Sequence, residues 1–127
     1  MREIKFRAWD KTLNKIHSWS TIENHFTLEE LLDDNFFEAM QYTGINGNGN
    51  EEIYDGDIIR LWERSPNGNE STYILKVYQK ENGTWMAEGL PEDDKLYGTY
   101  RTRIELYSYR QQVDVIGNKY ENPELLR

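Results

Sequence analysis

Apolar and polar residues alternate with a period of two at the start of the chain. Ile4, Phe6 and Ala8 share one face, and Lys5, Arg7 and Trp9 the other. That is the pattern of a strand with one buried side. Asp10 to Asn14 is polar and reads as a turn, and Lys15 to Trp19 returns as a second strand, which closes a hairpin. The pattern then changes. Leu28, Leu31 and Leu32 recur at helical spacing. Thr27 and Glu30 hold the two positions of a capping box, and Phe26 and Leu31 those of a hydrophobic staple. A helix of about two turns is predicted, too short to stand without tertiary packing. Asp33, Asp34 and Asn35 end it, because carboxylates oppose the dipole at a helix C-terminus. Phe36 to Tyr42 reads as a third strand and Gly44 as a turn.

The stretch from Met40 to Ile59 divides the chain. An apolar segment enters the alternation Asn46-Gly47-Asn48-Gly49-Asn50, and a second apolar segment leaves it. Glycine and asparagine reach positive φ at low cost, so a turn-rich, mobile loop is expected. Beyond it the spacing is that of short strands: Asp57 to Glu63, Thr72 to Lys80, Thr84 to Glu88, Arg101 to Tyr107 and Gln112 to Ile116. Tyr73, Leu75 and Val77 share one face of the second of these, and Ile104 and Leu106 are core candidates. Asn82-Gly83 predicts a two-residue type I′ hairpin. Ser65 to Asn69 is a loop, Pro91 to Lys95 an exposed acidic loop, and Asn122-Pro123 the start of a terminal helical turn. Such strands suggest a small barrel or rolled sheet. The domain reading is an N-terminal α+β part over 1–45, a connector over 46–56 and a β part over 57–127.

Composition narrows the chemistry. The chain has 127 residues, no cysteine and a formal net charge of -8. The length suits one domain or two closely packed halves. Absent thiols exclude disulfides and a cysteine nucleophile. Met1 to Lys5 is charged, so no signal peptide is expected, and no apolar run is long enough to span a membrane. The acidity opposes binding to phosphate backbones.

Three blocks carry a family resemblance: Met1 to Asp10 (MREIKFRAWD); Met40-Gln41-Tyr42-Thr43-Gly44 with Glu52 to Ile59 (EIYDGDII); and Val115 to Leu126 (VIGNKYENPELL). In this order they resemble the YopX family of phage and prophage proteins. The resemblance implies an α+β N-terminal part joined to a small antiparallel SH3-like barrel, in the cytoplasm of a bacterial host. It carries over no catalytic residue.

The motifs that bear chemistry are few. Asn46, Asn48, Asn50 and Asp57 echo the spacing of a calcium loop, but the early positions are uncharged, Glu51 replaces the glycine, and the end lacks its bidentate glutamate. Glu51, Glu52, Asp55 and Asp57 are able to hold a divalent cation or to serve turn chemistry. His17 and His25 have no ligand-like spacing. No P-loop, G-x-G-x-x-G or nucleophile elbow is present. Tyr97, Tyr100, Arg101, Arg103, Tyr107, Tyr109 and Arg110 interleave rings and guanidinium groups. This stretch suits a protein interface, a base-stacking surface or plain strand packing. The expectation is a non-enzymatic accessory protein without cofactor or metal. It would self-associate and bind a host or phage protein; the alternative is a nucleic-acid module built on 97–110.

Overall fold

Two antiparallel sheets and few helices make up the described residues. The computed structural model describes residues 3–89 and 103–126. The first sheet contains β1 (Phe6–Asp10), β2 (Lys15–His17), β3 (Phe37–Asn46) and β4 (Glu52–Tyr54), in the order β2-β1-β3-β4. The second contains β5 (Asp57–Arg64), β6 (Glu70–Gln79), β7 (Trp85–Gly89), β8 (Arg103–Glu105) and β9 (Val113–Asn118), in the order β8-β7-β6-β5-β9. A 3-10 turn at Tyr107–Gln112 precedes β9, which returns to pair with β5. A second 3-10 turn at Pro123–Leu126 closes the described chain.

Two short helices, not one, connect β2 to β3. Helix α1 (Trp19–His25) is capped by Ser18, whose hydroxyl accepts the Thr21 N–H. Its apolar residues Trp19, Ile22 and Phe26 have helical spacing, but the serine and threonine between them are weak helix formers. Helix α2 (Leu28–Leu31) has the expected capping box: Thr27 Oγ1 accepts the Glu30 N–H, and Glu30 Oε1 accepts the Thr27 N–H. It runs for one turn instead of two. Only Leu31 enters the core; Leu28 and Leu32 stay exposed. Thr27→Ala is expected to cost about 1 kcal/mol, the usual value of an N-cap, read as a lowered midpoint in urea. No change in the midpoint would mean that packing alone holds this turn.

The alternation in β1 organises three layers. Phe6 and Ala8 face the helices and join Trp19, Ile22, Phe26, Leu31 and Phe37 in one cluster. The opposite face meets the second half of the chain. There Trp9 stacks on Tyr120 with ring centroids 5.6 Å apart, and Met40, Tyr42 and Tyr54 form a cluster with Ile16 and Tyr120 against it. The largest core lies within the second sheet, around Ile59, Leu61, Leu75, Val77, Ala87, Leu106 and Val113. Ile53 of β4 belongs to that core while its neighbour Tyr54 belongs to the previous cluster. One short strand thus serves two cores, because successive side chains point to opposite faces.

Several turns differ from the sequence expectation in instructive ways. The strand β3 runs on to Asn46 because Gly44, at φ +79, makes a bulge and not a turn. Thr43 Oγ1 sits in that bulge, donating to the Ile53 carbonyl at 2.8 Å and accepting the Ile45 N–H. The hairpin at Asn82-Gly83 has three loop residues. Gly83 N–H donates to the Lys80 carbonyl, Lys80 N–H to the Thr84 carbonyl, and only Gly83 has positive φ. A type I turn followed by a left-handed glycine has replaced type I′. The loop at Pro66-Asn67-Gly68 repeats this arrangement, with Gly68 N–H on the Ser65 carbonyl. The Gly47–Glu51 segment is a hydrogen-bonded turn laid against β9, with Gly47 N–H on the Glu51 carbonyl and Asn48 N–H on the Val113 carbonyl.

Candidate functional site

Of the tyrosine and arginine residues singled out in the sequence, the described four lie on β8 and in the 3-10 turn that follows it. Tyr97, Tyr100 and Arg101 lie outside the described residues. Arg103 is on β8 and donates through Nε and Nη2 to Glu88 Oε1 on the neighbouring strand, at 3.2 and 2.7 Å. Tyr107 and Arg110 are both in the 3-10 turn and stack on each other, 4.0 Å from guanidinium carbon to ring centroid. Arg110 also donates to the Tyr107 carbonyl. Tyr109 packs on the core of the second sheet. The two described arginines are therefore already engaged.

The clustered carboxylates join the two halves of the chain. Asp57 is fully buried at the start of β5. Its Oδ2 accepts the Tyr54 N–H at 2.7 Å, and its Oδ1 accepts from Arg7 of β1. The Arg7 guanidinium also lies 4.1 Å over the Tyr54 ring. Glu52 pairs with Lys5 of the chain's first segment and accepts from the Tyr54 hydroxyl. Glu51 accepts the Val115 N–H at 2.7 Å. The Asn46 amide donates to Asn50 Oδ1 and its oxygen accepts from the Tyr42 hydroxyl, so these side chains hold a turn together. Among the described residues no group of three or more His, Asp or Glu side chains is placed to hold a metal ion.

The electrostatics of the seam follow from burial. Burial pushes the Tyr54 hydroxyl up to about 12, and Glu52 beside it adds to the effect. The hydrogen bond to Glu52 raises Lys5. Burial pushes Asp57 up to about 6, against the pull of Arg7 and of the Tyr54 N–H. Between its ordinary value of 3.8 and about 6, the folded chain holds a proton that the unfolded chain has released. The contribution of Asp57 to stability therefore grows as pH falls through that window. Asp57→Asn has no such proton. Its deficit relative to the parent is expected to be larger at about pH 4.5 than at about pH 7.5, read from urea melts at both. A deficit that shrinks toward acid would contradict this.

A third place was missed by the sequence patterns. At one end of the first sheet the β1–β2 turn faces the segment that enters β3, and an open cleft of about 500 Å³ lies between them. Phe26 and Phe37 line it, with rings 5.2 Å apart in edge contact. Leu13 and Phe36 also line it, and they are 59% and 52% exposed. The cleft is held in place from both sides. Asp10 Oδ1 accepts the Thr12 and Leu13 N–H groups, and Asp10 Oδ2 meets His17 Nε2 at 2.8 Å. The His17 hydrogen bond holds the Asp10 carboxyl below its usual range. Lys11 N–H donates to the Phe36 carbonyl, and Lys11 Nζ bonds the Asp34 carbonyl and pairs with Glu38 at 3.0 Å. The signal available in the sequence is Leu13, a large apolar residue inside the polar turn Asp10 to Asn14, and the doubled Phe36-Phe37 at the entry to β3.

A family model described as YopX protein matches residues 5–127. A crystal structure of protein EF1440 from Enterococcus faecalis superposes with a TM-score of 0.61 at 20% identity, covering 100% of both chains. At that identity the likeness shows the fold alone. No curated protein matches the chain. Among the described residues no helix is long and apolar enough to cross a membrane.

Proposed function

The chain belongs to the YopX family, and from that premise we propose that it is a non-enzymatic accessory protein of a phage or prophage that binds a protein partner in the bacterial cytoplasm. The observation that carries this reading is the apolar cleft beneath Leu13 and Phe36. Large apolar side chains left in solvent above a fixed aromatic floor mark an interaction surface. A surface of fixed shape also gives up little entropy on association. The buried seam supports the same view, since Glu51, Glu52 and Asp57 are used to tie strands together.

In this reading the second sheet is an SH3-like barrel. Its support is the chain path: four strands in a meander, then a 3-10 turn, then a last strand returning to the first. Nucleic-acid binding through 97–110 is the weaker reading, because Arg103 and Arg110 are already engaged and the net charge is -8.

The test is site-specific photo-crosslinking from Leu13 in cells carrying the induced phage. A discrete protein adduct that survives nuclease and disappears when the crosslinker is moved to exposed Asn67 is expected. An adduct destroyed by nuclease, or no adduct at Leu13 above the level at Asn67, would overturn the proposal.

A further inference from the structure

We infer that the occupant of the Leu13–Phe36 cleft is a basic amphipathic helix of a partner protein, seated by an apolar side chain and flanked by lysine or arginine. The inference rests on the protein-binding reading and adds the chemistry of the partner.

Two observations select a helix over an added strand. Strand addition needs a row of free backbone donors and acceptors along a sheet edge. Around the cleft the backbone donors are used. The N–H groups of Lys11, Thr12, Leu13 and Asn14 are bonded on one wall, and those of Phe36 and Phe37 on the other. Recognition there is left to side chains. The cleft offers what an apolar anchor needs, a recess floored by Phe26 and Phe37 and rimmed by Leu13 and Phe36. A helix presents such anchors at successive turns of one face.

The charge around the cleft selects a basic partner. From Ile16 to Ile59 the chain contains no lysine or arginine. On the α2 side Glu30 and Asp33 line the cleft, and Glu29 and Asp34 are their exposed neighbours in the chain. Glu30 lines the cleft and serves the capping box, and Asp33 lines it and accepts the Asn35 N–H. Among the described residues no cation is paired with the carboxylate of Glu29, Asp33 or Asp34. Two cations flank the β1–β2 turn: Lys11 is held by Glu38 and the Asp34 carbonyl, and Lys15 opens β2 opposite Asp10. An acidic collar around an apolar recess attracts a segment of opposite sign and repels acidic segments and anionic lipid.

The full chain is titrated by fluorescence anisotropy against three labelled peptides of equal length. One is a leucine/lysine amphipathic helix, one its leucine/glutamate counterpart, and one carries serine for leucine on the lysine background. The leucine/lysine peptide is expected to bind saturably, to lose affinity roughly tenfold or more with Leu13→Ser combined with Phe36→Ser, and to weaken as salt rises. Glu29→Lys combined with Asp34→Lys is expected to transfer preference to the leucine/glutamate peptide. All four positions are exposed, so far-UV circular dichroism of the variants should match the parent.

Equal binding of the serine/lysine peptide would reduce the effect to bulk charge and overturn the inference. So would equal binding of the leucine/glutamate peptide, or an affinity indifferent to Leu13 and Phe36. Native mass that shows a dimer broken by Leu13→Ser would identify a second copy as the occupant and overturn it too. In those cases a protein adduct at Leu13 would still support the broader reading, whereas its absence would remove both.

Discussion

Asp57→Ala is expected to cost about 3–5 kcal/mol of folding stability near neutral pH, the largest effect of any single change outside the apolar core. The Asp57 side chain is fully buried, and that of its partner Arg7 is 21% exposed. The substitution leaves the Arg7 guanidinium without its carboxylate and the Tyr54 N–H without its acceptor. Arg7 Nε is already buried without a partner, so the remaining cation has no reserve of hydrogen bonds. The cost comes from the void at a fully buried position, the buried Tyr54 N–H left unpaired and the part-buried Arg7 guanidinium left without its carboxylate. Arg7→Met combined with Asp57→Asn removes both charges, and the pair is expected to cost less than the sum of its single substitutions. Urea melts followed by circular dichroism give these values. An Asp57→Ala cost below about 1 kcal/mol would mean that the pair behaves like a surface salt bridge.

Ile53→Ala is expected to cost about 2–5 kcal/mol, the range for deleting a buried aliphatic side chain. The position is informative for more than its size. Ile53 is hydrogen-bonded into the first sheet through β4 yet packs in the core of the second. The cavity should therefore lower the stability of both sheets together. Trp9 and Trp19 report on the first half, and Trp62 and Trp85 on the second. In Ile53→Ala, tryptophan fluorescence and far-UV circular dichroism are expected to give one shared midpoint, and two separated midpoints would contradict it.

Local chemistry was legible where it was self-contained. The capping box at Thr27 and Glu30, the buried face of Phe6 and Ala8 in β1 and the buried faces of β6 and β8 all needed only neighbouring residues to be read, whereas Ile4, expected on the same buried face, precedes the strand and is 72% exposed. The Asn82-Gly83 dipeptide places the hairpin but allows two loop lengths, and cross-strand register chooses the three-residue one. Helix α1 was missed because its Trp19, Ile22 and Phe26 pattern is carried on poor helix formers and stabilised by packing under Phe6 and Ala8. The carboxylates of 51–57 could be assigned to turns or to chemistry from sequence alone. What decides is Arg7, which lies 50 residues away from Asp57 in the chain. The cleft was hidden for a similar reason: Leu13 and Phe36 meet only because Lys11 ties one turn to the other.

The seam ties the two sheets into one unit, so that the cleft at the far end of the first sheet has a fixed shape. Native-state amide hydrogen exchange tests this most directly. The slowest amides of β1 and β3 should share one opening free energy with those of β5 and β6, and Asp57→Ala should lower both sets by the same amount. Two separate plateaus, with the substitution lowering only one of them, would contradict it.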